Sequence, residues 1–373
     1  MPGADTLKIL AEREDRALDT CATCPSLCRW SCPVAETEAR ETTSPQRLGV
    51  LAQLLKQDRL RPDQTDGAPY HCTHCLACTE ACLHDNDVGL IISAARARLL
   101  DAQASPKGVR HVSGAFAVAG NAVGRRIDDA LSEAVDAAGF RMEAYAPRVY
   151  WPGCEVLSTG PEAAGDALRA TALSGLPSVS VLPASAGCCG LPLYWAGELD
   201  GFRAHAARFA DQFSQVEVVI AHDPTCAHAI RTIYPMLGIA FKPQITTIVE
   251  QLAPAWPAAS GRSAPPAYID GCSQARGLRE VDEPRRLLAK AVGASPVELA
   301  VATGTSVDCC GGQGLLPELV PATAEGMAHA RIDAFRASGA ELLLTASPRC
   351  RSHLRKVDPG LPVYDLVGWL AGR

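Results

Sequence analysis

The spacing of apolar positions along this chain predicts helices first and alternating strands and helices later. Residues 5 to 19 read as a short polar helix. Ser44-Pro45 can cap and start a second helix, whose Leu48, Leu51, Leu54 and Leu55 follow a helical period. A third helix follows Asp87 to Leu100, and a fourth covers 125–138. From residue 148 short β-type runs alternate with helical stretches, the pattern of α/β units with mainly parallel strands.

That second half is written twice. Val149-Tyr150-Trp151 leads into Pro152-Gly153-Cys154, and Ala267-Tyr268-Ile269 leads into Asp270-Gly271-Cys272. Gly187-Cys188-Cys189-Gly190 returns as Cys309-Cys310-Gly311. An amphipathic helix follows each pair, marked by Leu199, Phe202, Ala206, Phe209 and Phe213 in the first copy and by Ala328, Ile332 and Phe335 in the second. Each helix feeds a strand, Val216 to Ile220 or Leu342 to Leu344, and each strand runs into a turn ending in cysteine, Asp223-Pro224-Thr225-Cys226 or Ser347-Pro348-Arg349-Cys350. Corresponding cysteines stay 118 to 124 residues apart, a register that only duplication maintains. A proline- and glycine-rich joint over 253–266 separates the copies.

The cysteines turn this architecture into chemistry. Sixteen of them in a chain whose N-terminus is charged, not apolar, point to metal or redox work and away from a disulfide framework. Adjacent cysteines are poor disulfide partners, yet both thiolates can face one inorganic centre. Near the N-terminus Cys21, Cys24, Cys28 and Cys32 fall within thirteen residues, and Cys72, Cys75, Cys78 and Cys82 follow forty residues on. The second run is C-x2-C-x2-C-x3-C, which wraps three thiolates around one [4Fe-4S] cube and sends the fourth to another. The crossed reading gives Cys21, Cys24, Cys28 and Cys82 to one cluster and Cys72, Cys75, Cys78 and Cys32 to the other. Zinc knuckles are the alternative that C-x2-C pairs also admit. His71, His74 and His84 read as polar neighbours, and Trp30 as a packing lid near a cluster. The helix between the runs indicates a helical ferredoxin domain.

In the duplicated half the cysteines sit at strand ends and helix starts, where backbone N–H groups favour anionic sulfur and where open α/β sheets collect ligands. Glycines beside them let the backbone approach a bulky centre. The net charge of −6, with Lys and Arg scattered, excludes a nucleic-acid surface. No apolar run approaches the roughly 20 residues that cross a bilayer. No nucleophile-base-acid set, phosphate-cradling loop or flavin fingerprint stands out, so no flavin of its own, NAD or organic substrate is expected.

The C…CCG…C architecture, with the phrases AGCCGLPLYWAGE, IDGCSQARGLREVDEPRRLLAKAVG and CCGGQGLLPE, resembles the cysteine-rich (CCG) domains of heterodisulfide reductase catalytic subunits and their relatives. Those relatives include the iron-sulfur subunits of glycolate oxidase, anaerobic glycerol-3-phosphate dehydrogenase and lactate-utilisation enzymes. The resemblance implies an α+β/α/β multidomain fold: a helical two-cluster ferredoxin domain over 1–112, a helical connector over 113–147, and two duplicated α/β CCG domains over 148–256 and 266–373. It also implies an iron-sulfur oxidoreductase subunit of a flavin-linked dehydrogenase complex. Such a subunit carries electrons from a FAD-containing partner, of 2-hydroxy acid or glycerol-3-phosphate type, to a quinone or other carrier. Reduction of a disulfide or heterodisulfide at a cysteine-rich domain is the alternative. Heterodisulfide reductases hold a non-cubane double cluster with five cysteines per domain. Here the last position is Ala229 in one copy and His353 in the other. Cys154, Cys188, Cys189 and Cys226, and Cys272, Cys309, Cys310 and Cys350, then leave room for one ordinary cluster in each copy. The ending from Cys350 to Leu354 resembles the glycolate-oxidase and lactate-utilisation branch, with His353 as ligand or as donor to a cluster sulfur. His228 is expected at the surface or as a cap. The chain is expected in the cytoplasm, with attachment to the inner face of a membrane through a partner left open.

Overall fold

The computed structural model describes residues 4–259, 263–300 and 303–372. Three helices frame the N-terminal part: Ala4–Thr23, Pro45–Lys56 and Val88–Asp101. Their buried faces meet through Leu10, Ala17 and Leu18, through Leu48, Ala52 and Leu55, and through Leu90, Ile91 and Ala95. Burying each large aliphatic side chain contributes about 1.5–3 kcal/mol. The Asp87 side chain caps the third helix by accepting from Leu90 N at 3.0 Å. Ser44 makes no such bond and its hydroxyl is buried without a partner, so Pro45 alone sets the start of the second helix. Apart from Cys21, at the end of the first helix, both cysteine runs lie in the connections of this frame, shaped by short turns over Leu27–Ser31, Ala68–His71 and Ala77–Glu80.

Two helices follow, Val109–Ala119 and Asp128–Ala137. The first, missed in the sequence, buries Val109 and packs a half-buried face of Val112 and Phe116 against the core.

Two parallel sheets make up the rest. In the first copy β1 (Arg148–Trp151), β2 (Val218–Ala221) and β3 (Gln244–Thr247) lie in the order β1-β2-β3. In the second copy β4 (Ala267–Tyr268), β5 (Val297–Glu298), β6 (Leu343–Thr345) and β7 (Val363–Asp365) lie in the order β5-β4-β6-β7. Val149 also bridges Ser180 in parallel, so the first copy keeps the place of β5 as a single bridge. The copies thus share one topology. In it the chain leaves β1 towards one side and returns on the other, creating a crevice between β1 and β2, and likewise between β4 and β6, at the carboxyl ends of the strands.

The sheets share a core in which Tyr150 and Ile220 pack with Tyr268 and Leu344. Polar bonds tie the copies across it: Thr247 Oγ1 donates to Glu280 Oε2 at 2.8 Å, and the His222 ring bridges Tyr150 (2.8 Å) to Asp365 (3.0 Å). The expected joint over 253–266 begins inside a helix, Ile248–Ala255, because the capping box of Thr247 and Glu250 and the buried face of Val249, Leu252 and Ala253 carry the helix through Pro254. Trp256 then closes against the core, and residues 260–262 fall outside the described residues.

Arg96 fastens the N-terminal part to both copies. Buried within Val88–Asp101, it donates to Pro69 O (3.0 and 2.9 Å), Cys72 O (2.5 Å), Trp195 O (2.6 Å) and Gly314 O (3.2 Å). Gly314 has φ +71°, and a Cβ there would stand 2.6 Å from Thr73 Cα, so only glycine allows this approach.

Candidate metal centres

The cysteines gather into four groups. Cys21, Cys24, Cys28 and Cys82 are close enough that Cys21 feels the charge of the other three. Asn86 Nδ2 donates to Cys21 Sγ at 2.9 Å and to Ala17 O at 2.9 Å. Cys32, Cys72, Cys75 and Cys78 line one narrow apolar cavity with Val34, Leu48 and Val88. The backbone here is contorted: His74 and Leu76 both hold left-handed φ, at 54° and 64°. Such strain costs of order 1–3 kcal/mol per residue and turns successive N–H groups inward, as in an anion-binding nest. His74 N points at Cys72 Sγ at 3.3 Å.

In the first copy Cys154 stands at the end of β1 and Cys226 past the end of β2, at the crevice the topology predicts. Asp223 caps the helix Pro224–His228 through Thr225 N (2.8 Å), which fixes the direction of Cys226. Cys154 Sγ lies 3.2 Å from Cys188 Sγ, and Cys189 Sγ lies 3.5 Å from Cys226 Sγ. In the second copy Ser347 caps Pro348–Val357 through Cys350 N (3.3 Å), and Cys310 Sγ lies 3.0 Å from Cys350 Sγ. The glycines of the two motifs, Gly190 and Gly311, have φ +83° and +89°, so the chain turns left-handed directly after each pair.

Cys309 meets Cys310 of its own site and also reaches outward. It contacts Cys75 of the N-terminal group, and Cys75, Cys272 and Cys309 share one buried cluster with Leu316 and Met327. Two sulfur groups therefore touch across the domain boundary.

All sixteen cysteines are free thiols. Burial pushes Cys21 and Cys32 up to about 12, and contact with Cys309 followed by burial pushes Cys75 well above the usual thiol range. Thiolates at such places need a cationic centre to hold them. The donor set therefore fits thiolate-bound clusters. Among the described residues no three His, Cys, Asp or Glu side chains close on one point as ligands of a single ion would.

The histidines separate by environment. His71 Nδ1 lies 2.6 Å from Glu38 Oε1, and His84 is exposed. His74 is buried against Tyr194, lines the cysteine cavity, and burial drives its pKa well below the usual value. His353 adjoins Cys310 at Gly312, while its Nε2 donates to Ala324 O at 3.1 Å. His228, expected at the surface, is buried with Nδ1 unpartnered, because its helix packs against Ser273–Gly277 of the other copy. Trp30, expected as a lid, is 87% exposed, and Arg29 lies over its ring.

Three arginines beside the cysteine groups were not among the sequence candidates: Arg96 and Arg276, both buried, and Arg349, half-buried. The comparison of copies held a signal for two of them, since Arg276 and Arg349 occupy positions where the first copy has Ser158 and Thr225. Arg349, next to Cys350 in sequence, pairs with Glu155 at 3.2 Å and carries its charge to Cys154 and Cys226 of the other copy.

Comparison with known families agrees with this arrangement. The cysteine-rich domain (CCG) matches twice, over residues 148–231 and 266–355, and the 4Fe-4S dicluster domain matches over residues 17–86. No curated protein matches the chain.

Proposed function

We propose, from the premise that this chain belongs to the iron-sulfur electron-transfer proteins that join a 4Fe-4S dicluster domain to two cysteine-rich CCG domains, that it is the relay subunit of a flavin-linked dehydrogenase. The observation that carries this reading is the contact of Cys75 with Cys309, which leaves no gap between the N-terminal sulfur groups and the second copy. Clusters bound by these thiolates supply one-electron transfer with little ligand rearrangement.

The chain's own residues lay out the route. Cys21, Cys24, Cys28 and Cys82 form the outer ligand set, beside an apolar surface of Leu27, Trp30 and Leu83 that are 55%, 87% and 82% exposed. Exposed apolar surface next to a redox site suits the docking of a redox partner. Cys32, Cys72, Cys75 and Cys78 form the inner set. Cys272, Cys309, Cys310 and Cys350 receive from it, and Arg349 joins them to Cys154, Cys188, Cys189 and Cys226. His353 donates its Nε2–H to Ala324 O, which fixes its ring and leaves Nδ1 as candidate ligand beside the second-copy cysteines.

The partner is a FAD-containing dehydrogenase acting on a 2-hydroxy acid or glycerol 3-phosphate, and the acceptor is a quinone or another carrier. Reduced flavin releases two electrons, and a file of one-electron sites divides them. No helix is long and apolar enough to cross a membrane among the described residues, so a quinone pool is reached through the partner. Anaerobic purification from the native cell tests this. A flavoprotein should co-purify, and its substrate should reduce a quinone analogue through this chain, with Cys309→Ser stopping the transfer. Absence of any flavoprotein, or transfer unaffected by Cys309→Ser, refutes it.

A further inference from the structure

Arg276 is a buried cation with no carboxylate partner. It lies in the tight turn Ser273–Gly277 that follows Cys272 and is 5% exposed. Its Nε donates to Cys75 O of the N-terminal part at 2.7 Å, and its Nη1 donates to Thr305 O (3.0 Å) and Val307 O. Its Nη2 is buried and has no partner in the protein. Among the described residues no acidic side chain forms an ion pair with it. The anionic groups that act on it are Cys75 and Cys78 from one site and Cys272 and Cys309 from the other.

A guanidinium placed so deep is costly unless its charge is met. Among the described residues the groups that meet it are thiolates of two different centres, and both N–H groups of its Nη2 remain without a partner. Neither its counterpart Ser158 nor any other residue of the first copy repeats the arrangement at that position. We propose that Arg276 is a positioning cation shared by two iron-sulfur sites, one held by Cys72, Cys75, Cys78 and Cys32 and one by Cys272, Cys309, Cys310 and Cys350, and that it raises the reduction potential of both. A fixed positive charge stabilises the form that has gained an electron, so its removal lowers the potential. Because the charge is shared, the two sites move together, which keeps transfer between them nearly level while the outer site is unaffected.

The inference rests on the iron-sulfur reading of the second copy, and its test separates the two. The full chain, loaded anaerobically with iron and sulfide, is titrated with reductant while its EPR signals are followed, as wild type, Arg276→Gln and Arg276→Lys. Arg276→Gln should shift two signals to lower potential, each by about tenfold in the redox equilibrium, or about 59 mV for one electron. The remaining signals should stay, and Arg276→Lys should restore at least half of both shifts. Movement of one signal alone, or of none with iron content unchanged, overturns the proposal. If Arg276→Gln fails to hold iron, Arg276→Lys decides instead: two signals moved together to lower potential by a smaller amount support sharing, and one moved signal or none overturns it. Wild type that lacks any signal beyond the two N-terminal sites fails the iron-sulfur reading itself, and the proposal with it.

Discussion

Replacing Arg96 by alanine should loosen the N-terminal part from both cysteine-rich domains. Arg96 makes five hydrogen bonds to four carbonyls, at Pro69, Cys72, Trp195 and Gly314, and its guanidinium lies 4.9 Å over the Tyr70 ring. Alanine leaves the acceptors at Cys72, Trp195 and Gly314 unpaired in the interior, at about 1–3 kcal/mol each, or about 6 kcal/mol at the midpoint, while Pro69 O keeps the bond from Cys72 N. Water entering the vacated space recovers part of this, since the cavity is polar and roomy. The expected net loss is about 4 kcal/mol, a large share of the 5–15 kcal/mol typical of whole domains. Arg96→Lys keeps the charge but not the planar fork, and should lose roughly half as much. Urea unfolding of the two variants against wild type measures the difference. Hydrogen exchange should show the loss at Ala68–His71, at Leu191–Ala196 and around Gly314 together. A loss below about 1 kcal/mol, or protection lost at only one of these places, refutes the view of Arg96 as a three-way clasp.

Two further expectations follow from buried polar groups. Burial raises the Glu280 carboxyl to about 8, against bonds from Gln274 and Thr247 that favour its charge. The folded state therefore keeps a proton that the unfolded state loses near 4.3, so stability falls as pH rises from about 4.5 to 8. At about 1.4 kcal/mol per unit, the wild type should lose about 5 kcal/mol over that window relative to Glu280→Gln, and parallel pH profiles of the two in chemical denaturation contradict this. Asn86→Leu removes the N–H donated to Cys21 Sγ, so the outermost EPR signal should fall by some tens of millivolts with iron content unchanged, and an unmoved signal means the bond does not tune that site.

The parts of this molecule that repeat were the parts legible in the sequence. The copies could be aligned because each cysteine is tied to a strand end, a cap or a left-handed glycine, and these are local rules that leave local marks, as at Asp223-Pro224 and Ser347-Pro348. The ferredoxin spacing was legible for the same reason. What stayed hidden depends on residues distant in sequence. Nothing near Cys75 announces that Cys309 will touch it, and nothing around Arg96 distinguishes it from a surface arginine until the domains close over it. His228 was misplaced at the surface because its helix looks exposed until Ser273–Gly277 covers it. Trp30 was expected to be covered, since aromatic residues near clusters commonly pack, yet the turn Leu27–Ser31 buries none of its residues and leaves the indole outside.

The central claim is that the second cysteine-rich domain carries a cluster joined to the N-terminal ones through Cys75 and Cys309. Iron and zinc counted per chain after anaerobic purification, for wild type and Cys272→Ser, test it most directly. The two N-terminal cubes account for about eight irons. The wild type should hold clearly more than eight and little zinc, and Cys272→Ser should lose only from the excess, with both N-terminal EPR signals kept. Eight irons in both proteins, or zinc in place of the excess, would contradict it.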